Sequence, residues 1–316
     1  MPSGADSRSK PQRIGLRGRV TTGLALAFAG WALGAHAGEL DVVIPLTPVS
    51  QGDVFLVAVR QLPTGASVEG SWQGSGLGFV AVSATESLAL VGVDFRTPPG
   101  KYVLAVSVRV PGAAPAIWQR PVEVAAKDFG VQHLTLPNGM VHLGRRTAAR
   151  VAREAALLAA LWPKRTPEAY WRGGFITPVP GQVGTPFGVA RTINGEPRNA
   201  HSGVDLRAAL GEEVHAANRG RVALLGEFFF YGQAVVLDHG LGVYSMYFHL
   251  SKVSVARGDL VEKGGVVGLA GATGRATGPH LHWGVRLAGA RVDPFALVQA
   301  TDTLAAPEAG GKEARP

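Results

Sequence analysis

Short runs of β-prone residues, broken by proline and glycine, dominate the chain from residue 38 to residue 126. Val54-Phe-Leu-Val-Ala-Val59, Leu88-Ala-Leu-Val-Gly-Val93 and Tyr102-Val-Leu-Ala-Val-Ser-Val-Arg109 have strand length, and Gln51-Gly-Asp53 and Thr97-Pro-Pro-Gly100 are turn signals between such runs. This spacing predicts a small immunoglobulin-like β-sandwich over 38–126. Trp72 and Trp118 are expected to pack inside it rather than to bind a ligand. The texture then changes over a linker, 127–172. Arg145 to Trp162 is rich in Ala, Leu, Arg and Glu, and Val151, Ala155, Leu158 and Trp162 fall on one helical face before Pro163. A helix over 145–162 follows.

Strand texture returns over 173–298. Gly184-Thr-Pro-Phe-Gly188 is a turn-rich entry, and Arg191 to Arg198 reads as a loop able to wall a cleft. Arg221–Leu225, Ala234–Asp238 and Val243–Leu250 are separated by Gly and Asp turns, the pattern of antiparallel strands. Strict alternation in the last sends Tyr244, Met246, Phe248 and Leu250 to a core face, with Ser245, Tyr247 and His249 facing a site. The chain is therefore expected to be mainly β, and residues 299–316, rich in Ala, Gly and charge, to form a loose tail.

Composition adjusts this picture at the N-terminus. Lys and Arg outnumber Asp and Glu by eight, but residues 1–37 hold Arg8, Lys10, Arg13, Arg17 and Arg19 against Asp6 alone, so +4 remains without them. That remainder has no dense basic run with interleaved aromatics, which argues against nucleic-acid binding. The basic residues precede an apolar run, Thr21 to Gly34, and an Ala35-His36-Ala37 cleavage signal. This is the layout of an export signal cleaved after Ala37, with no stable membrane insertion afterwards. There is no cysteine, which excludes disulfides, thiol catalysis and cysteine-held zinc.

Candidate chemistry lies in the histidines. His280-Leu-His282 on a strand puts two imidazoles on one face, with alpha carbons roughly 6 to 7 Å apart. One can hold a metal while the other handles a proton. His201-Ser-Gly-Val-Asp205 adds two ligand-type side chains, about 13 Å apart if the segment were a straight strand, so it must bend, with Ser202-Gly203 as the expected bend. Two histidines and one carboxylate would leave the fourth position of a tetrahedral zinc open for water. His133, His142, His215 and His239 lack partner spacing and are expected to be structural or surface groups.

His201-x-x-x-Asp205, Tyr247-Phe-His249-Leu and Thr277-Gly-Pro-His280-Leu-His282 resemble the three signature motifs of the lysostaphin-type (LytM-like) zinc metallopeptidases, which cut peptide bridges in bacterial cell walls. The similarity runs from about Phe175 to Pro294. It implies a glycine-rich antiparallel β fold with an open groove, and one Zn2+ held by His201, Asp205 and His282. It also implies two non-ligand active-site histidines, His249 and His280. His280 is expected to act as general base, and His249 to donate a hydrogen bond to the oxyanion. Tyr247, on the same face as His249, either lines the groove or packs in the core.

With the export signal, the expected function is a zinc endopeptidase that hydrolyses peptidoglycan cross-links in the periplasm or envelope. A regulatory role for the linker helix or the N-terminal domain, covering the groove, is a further expectation. The rival reading is a non-catalytic wall-binding protein or amidase activator, against which all five site residues argue. A lipoyl or biotin carrier, suggested by Gly258-Asp-Leu-Val-Glu-Lys-Gly264, leaves the histidines unexplained.

Overall fold

The computed structural model of the chain describes residues 40–45, 48–135 and 143–304; the expected leader and His142 lie outside them. Between Asp41 and Ala125 the β-prone runs build two sheets. One has the order Asp41–Val43, Val54–Arg60, Glu86–Gly92, Phe79–Ser83; the other Val49–Ser50, Ala116–Ala125, Gly100–Arg109, Ser67–Trp72, Ser75–Leu77. Val57, Val59, Ala89 and Val91 from the first sheet share a buried core with Trp72, Leu104, Val106 and Val124 from the second. Trp72 is buried there, edge-on to Phe55 at 5.7 Å, and Trp118 packs against the same core.

The region expected to be a linker is built into the fold. Val131–Leu134 runs parallel to Ala190–Ile193, which returns as Glu196–Arg198 to complete a three-stranded sheet. The stretch read as a loop is thus a hairpin, turned at Asn194 (φ 53°) and Gly195 (φ 82°). Those are the two positive dihedrals that a tight Asn-Gly hairpin turn requires. The helix spans Arg145–Ala159, shorter than its apolar spacing predicts. Pro163 disfavours helical backbone at Trp162, and Leu161 and Trp162 pack from a turn instead, Trp162 edge-on to Tyr244 at 5.6 Å. Ala155, expected on the packed face, is exposed.

The site is carried by an eight-stranded antiparallel sheet. Its order is Val183–Thr185, Val204–Arg207, His280–Leu287, Val243–Leu250, Gly232–Gly240, Gly220–Phe228, Leu260–Val261, with Ala290–Val292 beside His280–Leu287. Both faces of its centre are covered. Leu206, Leu237, Tyr247, Leu281 and Trp283 are fully buried on one side, and Tyr244, Met246 and Phe248 are buried on the other. Val54, Leu90 and Phe95 of the N-terminal part join the first of these cores, and Arg291 grips Asp94 through Nη2 to Oδ1 (2.7 Å) and Nε to Oδ2 (2.9 Å).

Order also persists past residue 298. Asp293 caps the helix Pro294–Thr301, and the buried Thr301 hydroxyl accepts the Phe175 N–H at 3.0 Å. Leu304 still packs on the core, so residues 299–304 do not belong to a loose tail; residues 305–316 lie outside the described residues. That short helix is held by one cap and one buried hydroxyl. No helix among the described residues is long and apolar enough to cross a membrane.

Candidate metal centre

Two neighbouring strands bring the first three histidine-motif residues together. Val204–Arg207 pairs with His280–Leu287 in a register that sets Asp205 directly opposite His282. His201 lies just before the first strand, and the chain curves so that its ring meets both. His201 Nε2 is 2.9 Å from Asp205 Oδ1 and 2.9 Å from His282 Nδ1, and the last two atoms are 2.8 Å apart. Among the described residues this is the one group of histidine and acidic side chains with ligand atoms so convergent.

Gly203 is needed here for a different reason from the bend expected of it. Its φ is not positive, so other residues can adopt its backbone. A side chain, however, would put a Cβ 2.5 Å from the Trp283 carbonyl oxygen and 2.7 Å from His282 Nε2. The glycine lets the ligand-bearing segment lie flat against the neighbouring strand.

The chemistry of the donor set fits a cation. The Pro186 carbonyl lies 2.9 Å from His201 Nδ1, and a carbonyl can only accept, so Nδ1 carries the proton and a neutral His201 turns a lone pair inward from Nε2. Burial pushes His282 down to about 4, keeping it neutral. Burial pushes the Asp205 carboxyl up, but contacts with His201 and His282 outweigh it and hold the group well below the usual carboxylate range. One proton can satisfy at most two of the three short contacts, whereas one divalent ion satisfies all three with the nitrogen and oxygen donors zinc prefers.

Two further histidines flank this cluster. His280 sits one pleat from His282, with Nε2 3.9 Å from Asp205 Oδ1 and Nδ1 held by the Gly278 carbonyl at 2.9 Å. His249 comes from the adjacent strand, its ring centroid 4.7 Å from that of His280 and its Nδ1 held by the Thr273 carbonyl at 2.8 Å. Burial pushes His249 down to about 3, with the His282 and His280 charges acting in the same direction. Each ring thus spends its Nδ1 proton on a backbone carbonyl and presents a lone pair at Nε2.

Strict alternation fails where it matters most. His249 has φ 65°, in the left-handed region, and the register with Gly232–Gly240 shifts beside it. The bulge turns His249 to the side occupied by Phe248. Phe248 is buried in the core as expected and stacks there on the His282 ring at 5.5 Å and 5°, backed by Tyr231 at 4.4 Å. Tyr247 packs rather than lining the groove: it is fully buried on the opposite side, its hydroxyl accepting the Ala217 N–H at 2.8 Å and bonded to Ser245 at 2.8 Å. Sequence reasoning also missed Arg191, whose Nη2 donates to Asp205 Oδ2 at 3.3 Å. His239 is fully buried and bonded to Arg219 and Ser245, and His215 bonds the Gly264 carbonyl, both away from the cluster.

The sequence matches the model of Peptidase family M23 over residues 199–294, the stretch holding all five histidine-motif residues. A DD-carboxypeptidase/endopeptidase of Neisseria meningitidis serogroup B is 38% identical over 135 residues, 42% of this chain and 31% of the relative. Lysostaphin of Staphylococcus staphylolyticus is 38% identical over 93 residues, 29% of this chain and 19% of the relative. The chain thus spans about a third or less of the length of these curated relatives. A solved structure described as a putative peptidase M23 from Pseudomonas aeruginosa matches far more widely. It covers 80% of this chain and 96% of its own, at 32% identity and a TM-score of 0.63. Shared across nearly the whole of that structure, and with the matched stretch folded around a His-Asp-His cluster, the likeness is one of descent: this chain belongs to peptidase family M23.

Proposed function

We propose that the chain is an exported, zinc-dependent endopeptidase that hydrolyses the peptide cross-links of bacterial peptidoglycan. The observation that carries this reading is the convergence of His201 Nε2, Asp205 Oδ1 and His282 Nδ1, flanked by two histidines with free Nε2 lone pairs. A relative in Vibrio cholerae, 38% identical over 93 residues and named a peptidoglycan DD-endopeptidase, supplies the polymer, and the leader-like residues 1–37 supply the route to the periplasm or envelope. The two-sheet N-terminal part is kept in this proposal as an immunoglobulin-like module that can regulate access to the groove.

His201, Asp205 and His282 would hold the zinc, which when bound would supply Lewis acidity toward a water and a carbonyl. His280, with Nδ1–H fixed on Gly278, offers Nε2 as the base that takes the water proton and later returns it to the departing amine. His249 stands across from it. Because Thr273 occupies its Nδ1–H, His249 donates to an oxyanion only after Nε2 has gained a proton. Its left-handed backbone fixes the angle of approach.

Digestion of purified peptidoglycan, followed by mass analysis of the released muropeptides, tests the reading. Cross-linked species should fall to monomers, a chelator should stop this and added zinc restore it. His201→Ala, Asp205→Ala and His282→Ala should lose zinc and activity together; His249→Ala and His280→Ala should lose activity while zinc stays. Cleavage that survives complete removal of metal, or binding to the polymer without cleavage, rejects it.

A further inference from the structure

Arg191 lies outside the family-matched stretch, yet it reaches the metal cluster. From the hairpin strand Ala190–Ile193 its Nη2 donates to Asp205 Oδ2 at 3.3 Å, and its Nε donates to Gln132 Oε1 at 3.2 Å. Gln132 and Arg191 are register partners in the parallel pair formed by Val131–Leu134 and Ala190–Ile193. The two oxygens of Asp205 therefore have separate partners: Oδ1 faces His201 and His282, and Oδ2 faces the guanidinium. A carboxylate is free to rotate and to offer either or both oxygens to an ion; a charged donor engaging one oxygen opposes that rotation. The second contact of the fork, to Gln132, stops the guanidinium itself from swinging away.

We propose that Gln132 and Arg191 form a two-step relay that holds Asp205 with Oδ1 turned to the metal and Oδ2 kept back. The strand Val131–Leu134, well ahead of the peptidase motifs, is then part of the metal centre. This rests on the metal reading above. Arg191 is a positioning residue, since it acts on the ion only through Asp205.

Its sign is what makes the idea testable. A guanidinium repels a nearby cation, so a role through charge alone predicts that removing it tightens zinc binding. Positioning predicts the reverse. The experiment measures zinc affinity of the full chain by competition with a chromophoric chelator, together with the melting temperature of the metal-free protein and kcat and KM on peptidoglycan fragments. Arg191→Met is expected to bind zinc roughly 10- to 100-fold more weakly, the usual range for loss of an outer-shell partner. Arg191→Gln, which keeps an amide donor for Oδ2 without the charge, should recover part of that loss. Gln132→Leu, on a partly exposed strand, should weaken zinc severalfold with an unchanged metal-free melting temperature, and carries the test if Arg191→Met fails to fold. Zinc binding within twofold of wild type in Arg191→Met and Gln132→Leu, or tighter binding in Arg191→Met, overturns the relay and leaves the metal reading standing. A wild-type chain that takes up no zinc overturns both.

Discussion

Gly203→Ala is a one-methyl perturbation whose consequence can be worked from distances. The new Cβ would sit 2.5 Å from the Trp283 carbonyl oxygen and 2.7 Å from His282 Nε2, where ordinary contact begins at 3.4 Å. Trp283 lies mid-strand, paired with Val204 on one side and Tyr247 on the other, so its carbonyl cannot retreat. The His282 ring would have to withdraw by about 0.7 Å, or Ser202–Val204 would lift and carry His201 and Asp205 with it. Either way, three donor atoms now within 2.9 Å of one another separate by a sizeable fraction of a metal–ligand bond, about 2.1 Å.

Overpacking of this kind costs about 1–3 kcal/mol of stability. Misplacing reacting groups by about 1 Å can cost on the order of 100-fold in rate. The assay pairs zinc affinity by chelator competition with the rate of muropeptide release. At least a tenfold loss of affinity is expected, with rate falling further. Gly278→Ala is the control, because a Cβ there meets nothing within 4 Å, although the residue lies in the loop before His280. Gly203→Ala with wild-type zinc affinity and rate would refute the close-approach argument.

Three other outcomes follow from the same structure. Tyr247→Phe strands the buried Ala217 N–H, so it should lower stability by about 1–3 kcal/mol while leaving KM unchanged; a raised KM would return Tyr247 to the groove. His239 is buried and neutral, lowered from 6.5 to about 4 by burial. The unfolded chain therefore takes up its proton first, and stability complete above pH 6.5 should decline toward pH 4, by roughly 3 kcal/mol from this one group. Denaturant melts of His239→Gln should show a flatter dependence over that window, and an identical slope would exclude the assignment. Asp94→Ala breaks the forked contact with Arg291 between the N-terminal part and the peptidase sheet, at an expected cost of about 3 kcal/mol. Thermal unfolding that matches wild type would show that contact to be dispensable.

The sequence by itself determined the identity of the chemistry. Histidine and aspartate at short spacing marked the candidate segments, and the resemblance of three motifs to the lysostaphin-type peptidases picked out the three residues that converge and the two that flank them. Strand-length runs between turn signals likewise marked the mainly β character of the chain. What tertiary structure decided was where each side chain points and what holds it. Strict alternation puts Tyr247 beside His249, but the left-handed His249 broke that period of two and turned to the face of Phe248, which stays buried as expected. The carbonyls of Pro186, Gly278 and Thr273, which fix the three ring tautomers, carry no sequence signal, since every residue has a backbone oxygen. Arg191 and Gln132 became neighbours of the cluster only through parallel pairing of strands more than fifty residues apart. Local pattern fixes periodicity and residue type; the aim of a side chain depends on dihedrals and partners set by distant parts of the chain.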